Sequence, residues 1–145
     1  MGLRGRLPRM DAAEAIAAVR RVLAEEPEAR WAYVFGSTVR GGRYRDVDVA
    51  VMPTAKATLA GIGGWVARLE TAVGCKVDLV DLTNAELPFV GPMLRERAVV
   101  VDRDPAARHA WEASTTSRWL DFEPSYREFL AVRERAARLR RERSA

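Results

Sequence analysis

The chain nearly lacks two residues on which much enzyme chemistry rests. Its 145 residues include one cysteine, Cys75, and one histidine, His109. A single cysteine excludes an internal disulfide framework and a cysteine-rich zinc site. A single histidine excludes a multi-histidine metal site and argues against Ser-His-Asp chemistry. Lysine is scarce too: arginine outnumbers it 22 to 2, a compositional habit from which no function follows. No apolar run approaches the roughly 20 residues of a membrane-spanning helix. The basic start leads into an acidic, Ala-rich segment instead of an apolar signal core, so no signal peptide is read and the cytoplasm is the default location. Chemistry is left to carboxylates, arginines, hydroxyls and backbone.

What is present suits one compact domain with a helical extension: 48% of residues are hydrophobic and 30% charged. The formal excess of charge is local. Residues 133–143 hold six Arg and two Glu, and the remainder holds 18 basic and 18 acidic residues. Arg4, Arg6 and Arg9 form a second basic end. No stacking platform or recognition motif accompanies these arginines, so a solvated helix face and a frayed terminus are read there, and nucleic-acid binding is not supported.

Residues 1–10 have no apolar period and read as disordered. Asp11 and Glu14 have capping-box spacing, and Ala12, Ala15, Ile16, Val19, Val22 and Leu23 recur at helical intervals until Pro27. Trp31 to Phe35 is a β-prone run ending at Gly36-Ser37. A Gly- and Arg-rich loop, Thr38 to Arg45, leads into a strand from Asp46 to Met52. There Val47, Val49 and Val51 share one face, and Asp46, Asp48 and Ala50 the other. Leu59 to Val73 reads as a helix ended by Gly74. Lys76 to Leu82 and Ala98 to Asp102 read as strands. Pro88 and Pro92 limit the segment between them to short helical pieces. Residues 105–119 and 124–143 read as two further helices, each with proline in its first turn. The order predicts an α+β fold: a small mixed β-sheet with flanking helices over 11–103, then a C-terminal helical extension over 104–145.

Three features converge on one chemistry. Gly36 and Ser37 stand at a strand end, where a backbone without Cβ can approach an anion and a hydroxyl can donate to it. Asp46 and Asp48, at i and i+2, project from one strand face and can share a divalent cation. Asp78 lies on a later strand, and if that strand neighbours the first, three carboxylates meet. Three acidic oxygens without His or Cys suit Mg²⁺ or Mn²⁺, and beside a phosphate-holding loop they suit metal-assisted phosphoryl or nucleotidyl transfer. The blander alternative is a strand whose Asp face is simply solvated. Aspartate is disfavoured in strands, so two on one face of a Val-rich run argue for the site.

The segments Phe35-Gly36-Ser37-Thr38-Val39-Arg40-Gly41, Asp46-Val47-Asp48-Val49-Ala50-Val51 and Val77-Asp78-Leu79-Val80-Asp81-Leu82 resemble the minimal nucleotidyltransferase (MNT) family of the DNA polymerase β superfamily. The resemblance covers residues 11–103, and the eight-residue loop before Asp46 is slightly shorter than the family commonly shows. It implies a nucleotidyltransferase-like fold and an enzyme using ATP and Mg²⁺, with one or two ions. It implies that Gly36 and Ser37 hold the β- and γ-phosphates, that Asp46 and Asp48 ligate the metal, and that Asp78 completes the site and helps deprotonate the acceptor. Arg40 is a candidate to steady the triphosphate. The antitoxin-type members that the chain resembles pair with a HEPN-domain toxin and transfer AMP to a tyrosine hydroxyl on it. A non-catalytic antitoxin that occludes its toxin, and a small-molecule transferase of the aminoglycoside kind, are the alternatives.

Other polar and aromatic residues receive plainer readings. Asp81 falls opposite Asp78 by strand alternation and reads as a strand-end or cap residue. His109 reads as a surface or partly buried helix residue, and Cys75 as a small apolar one. Trp119, Phe122, Tyr126 and Phe129 recur at helical spacing, which suits core packing, or an aromatic face shown to a partner.

Overall fold

The computed structural model describes residues 10–144, so the disorder read at the N-terminus falls, but for Met10, outside the described residues. Helix α1 (Ala12–Ala24) starts where the capping pattern places it: the Asp11 carboxylate accepts the Glu14 amide at 2.8 Å. Strand β1 (Ala29–Phe35) leads through a tight turn, Gly36–Thr38, and a loop into β2 (Val47–Pro53). Helix α2 (Leu59–Val73) ends on Gly74, whose φ of 73° is the left-handed conformation that closes a helix. Strand β3 (Val77–Asp81), helix α3 (Leu87–Arg95), strand β4 (Arg97–Asp102) and helix α4 (Pro105–Ser144) follow.

The four strands form one mixed sheet in the order β3-β2-β1-β4. β1 runs antiparallel to both neighbours, and β2 and β3 run parallel, with α2 as the crossover that a parallel pair requires. The alternation in β2 separates two cores, one on each face of the sheet. Val47, Val49 and Val51 are fully buried against α1 and α2, together with Val19, Leu23, Trp65 and Leu69. On the other face Trp31, Tyr33 and Ala50 meet α3 and the start of α4 through Val90, Met93, Leu94 and Trp111.

Two expectations fail, both at proline. The segment after Asn84 contains a nine-residue helix, α3. Pro88 sits in its first turn, where no amide partner is needed, and Pro92 costs the helix one hydrogen bond that packing on the sheet offsets. Likewise the C-terminal segment is one 40-residue helix instead of two, with Pro124 inside it. An interior proline costs about 3 kcal/mol. Here the helix is held on the N-terminal side of Pro124. The Trp119 ring seats directly on Gly91, where an added Cβ would lie 2.3 Å from it, and Glu123 pairs with Arg95 and Arg127. The network of Glu112 anchors the helix start: it accepts from Tyr33 Oη and Arg108 Nη1 at 2.8 Å each, and Arg97 Nη2 lies 2.8 Å from its other oxygen.

Candidate active site

The open end of the sheet collects the residues singled out for chemistry. Phe35, the last residue of β1, lies opposite Asp48 of β2 and Arg97 of β4, and Asp48 lies opposite Asp78 of β3. A row Asp78–Asp48–Phe35–Arg97 therefore crosses all four strands. Asp46 immediately precedes β2 and adds its charge to the same end.

The carboxylates stand close enough for their charges to act on Asp48. Partial burial pushes the Asp48 carboxyl above its ordinary value, and the negative charges of Asp78 and then Asp46 push it further. Lys76, two residues before Asp78 and so on its face of β3, puts Nζ 3.3 Å from Asp78 Oδ1. Its hydrogen bond to Asp78 and the charges of Asp78 and Asp46 raise the ammonium above its usual range. Lys76 is thus a cation held at an acidic cluster, and sequence reading passed over it. The available signal was its i, i+2 spacing to Asp78 and its rarity as one of two lysines.

Gly36 explains how the loop approaches the acids. Its φ of 76° is one that a side chain disfavours, and a Cβ there would lie 2.7 Å from Asp48 Oδ2. The space in front of Asp48 is kept open by glycine. Ser37 is half-buried beside it. Thr38 is buried, and its hydroxyl is without a hydrogen-bond partner among the described residues. The turn is closed by the Val39 and Arg40 amides, which donate to the Gly36 carbonyl at 3.1 and 3.3 Å.

Among the described residues, no three His, Cys, Asp or Glu side chains close into a metal cage. The donors nevertheless fit Mg²⁺: it is commonly held by one or two carboxylates, with waters and substrate phosphates completing the shell. Asp46, Asp48 and Asp78 offer hard oxygens at an open edge, and the repulsion at Asp48 is what a bound cation would relieve. Arg40 is exposed and pairs with Glu96 at 3.2 Å. Asp81 does not join the acids; it ends β3 and its Oδ1 accepts the Thr83 amide at 2.8 Å. His109 is exposed on α4, and Cys75 is half-buried and packed against the core.

Sequence comparison places residues 18–106 in register with the Polymerase beta, Nucleotidyltransferase family. No curated protein matches the chain. Solved structures share the fold. One is the MNT antitoxin complex with a tri-AMPylated Shewanella oneidensis HEPN toxin, with a TM-score of 0.64 at 18% identity over 83% of this chain and 96% of that one. A toxin–antitoxin structure with AMP-PNP gives a TM-score of 0.58 at 19% identity over 83% and 94%. A protein described as a minimal nucleotidyltransferase gives 0.56 at 26% identity, over 63% of this chain and 98% of that one.

Proposed function

The chain belongs to the polymerase β nucleotidyltransferase family, and from that premise we propose that it transfers AMP from ATP to a hydroxyl, that of a tyrosine on a partner HEPN toxin, and so acts as an antitoxin. The observation that carries this reading is the juxtaposition of Gly36 with the acids: a Cβ on Gly36 would lie 2.7 Å from Asp48 Oδ2, so the turn approaches the carboxylate this closely only because the residue is glycine. Gly36 and Ser37 take the β- and γ-phosphates. Asp46, Asp48 and Asp78 hold Mg²⁺, which when bound supplies charge neutralisation to the triphosphate. Asp78 accepts the proton of the acceptor hydroxyl, and Lys76 Nζ, 3.3 Å from Asp78 Oδ1, orients its carboxylate. The acceptor oxygen bonds to the α-phosphorus as the bond to the β-phosphate oxygen breaks, and pyrophosphate leaves.

The toxin as acceptor is supported by the solved neighbours, one of which holds an AMPylated HEPN toxin. The length of the match adds to this. Residues 1–104 make up 72% of the chain, so a match over 83% must reach into α4, whereas the minimal transferase is spanned almost whole by 63%. The experiment is co-expression of the toxin with wild type or Asp48→Asn, scored for growth and for co-purification. Loss of protection with retained complex supports transfer. Protection that survives Asp48→Asn would move the protein to the occluding class.

A further inference from the structure

A cleft of about 330 Å³ opens beside the phosphate-holding turn. Its walls are Phe35 from β1 and Phe89, Pro92 and Met93 from α3, and Arg40 and Glu96 form its rim. Phe35 and Phe89 stand edge to face, with ring centres 5.5 Å apart. Gly36 also lines it, and the other flank of that residue faces Asp48, whose Oδ2 would lie 2.7 Å from a Cβ placed there. Its volume is at the small end of the roughly 300–1,000 Å³ range of ligand pockets, which suits one flat ring system and its sugar better than a peptide segment.

We propose that this cleft is the nucleobase site and that it selects an amino-bearing purine, which stacks on Phe89 while the Glu96 carboxylate accepts a hydrogen bond from the exocyclic amino group. The inference rests on the transfer reading above. In-line displacement sets the acceptor oxygen opposite the leaving pyrophosphate. With pyrophosphate on Gly36 and Ser37, the acceptor approaches from the far side, toward Asp78. A cleft that borders Gly36 is on the leaving-group side, so it serves the nucleotide and not the acceptor. Arg40 then acts at the rim: its 3.2 Å contact orients the Glu96 carboxylate. A carboxylate can only accept, so it rewards an N–H donor and repels the carbonyl oxygen of uracil.

The test is calorimetric titration of the full chain, with Mg²⁺ present and no acceptor, using ATP, purine riboside triphosphate (which lacks the amino group) and inorganic tripolyphosphate. Wild type should bind ATP about 5- to 10-fold more tightly than purine riboside triphosphate, the scale of one hydrogen bond at a solvent-accessible rim. Glu96→Ala should erase that difference, and Glu96→Gln, whose carbonyl still accepts, should keep part of it. Phe89→Ala should weaken ATP about 10-fold or more, the scale of base stacking, with tripolyphosphate unchanged. Unchanged tripolyphosphate binding also shows that the variant is folded. Equal binding of the two nucleotides by wild type, or equal losses of ATP and tripolyphosphate in Phe89→Ala, overturns the assignment. If wild type binds neither ATP nor tripolyphosphate, the transfer reading falls first and the cleft with it.

Discussion

At Gly36 two constraints meet on one Cα: a left-handed φ and a carboxylate oxygen 2.7 Å from where a Cβ would stand. Gly36→Ala should therefore cost about 1 kcal/mol or more of stability from backbone strain, read by urea denaturation. It should also reduce transfer at least about 10-fold by filling the space before Asp48, since small misplacement at the reacting centre is expensive. Asp48 carries the opposite balance. Burial and the charges of Asp78 and Asp46 raise its carboxyl in the folded state, so in metal-free protein its ionisation at neutral pH opposes folding. Asp48→Asn should leave the melting temperature in EDTA unchanged or higher while transfer falls by about 100-fold or more. A variant that loses stability and activity together would mark Asp48 as a structural residue. Gly36, Asp46, Asp48 and Asp78 were legible from residue type and spacing alone, because strands alternate and aspartate needs a reason to be in one. Phe89 and Glu96 were not, because each acquires its place from a neighbour distant in sequence: the cleft joins Phe35 to residues more than fifty positions on.

Among the elements, α3 and α4 depend on one close approach. An added Cβ at Gly91 would lie 2.3 Å from the Trp119 ring, which is itself buried. Gly91→Ala should destabilise the protein by about 1–3 kcal/mol, and less in a Trp119→Leu background, as a double-mutant cycle in urea would show. The start of α4 is set by Glu112. Burial alone would raise its carboxyl, but hydrogen bonds from Tyr33 and Arg108 and the charge of Arg97 outweigh that and hold it below the ordinary 4.5. A depressed carboxylate adds stability above its unfolded value and loses it as pH falls through the folded one. The stability gap between wild type and Glu112→Gln should thus be constant near neutrality and shrink as pH drops below about 4.5, the unfolded value. A gap independent of pH would contradict the network. Helix α1 and the four strands follow caps and apolar periods visible in the sequence. The two proline-containing helices did not, because local propensity said break where tertiary contacts at Trp119 and Glu123 said continue.

The molecule as a whole is a sheet covered by helices on both faces, with one helix that outruns it. α4 spans 40 residues, about 60 Å at 1.5 Å per residue. Its buried residues are Thr115 and Trp119, and from Arg127 to Ser144 every residue but Ala137 is exposed. The aromatic series therefore splits. Trp119 is core, Tyr126 is half-buried against Trp119 and Phe122, and Phe129 is 54% exposed. Removing residues 127–145 should leave the melting temperature of the body within a few degrees while helical circular dichroism falls in proportion to the residues lost. No helix among the described residues is long and apolar enough to cross a membrane. The central claim is that Asp46, Asp48 and Asp78 serve nucleotidyl transfer. Its most direct test is incubation of the full chain with purified HEPN toxin, Mg²⁺ and ATP radiolabelled at the α- or the γ-phosphate, beside the Asp46→Asn/Asp48→Asn double variant. The account predicts label on the toxin from α-labelled ATP only, and none with the variant. A toxin that stays unlabelled while the complex forms, or one labelled equally by both proteins, would contradict it.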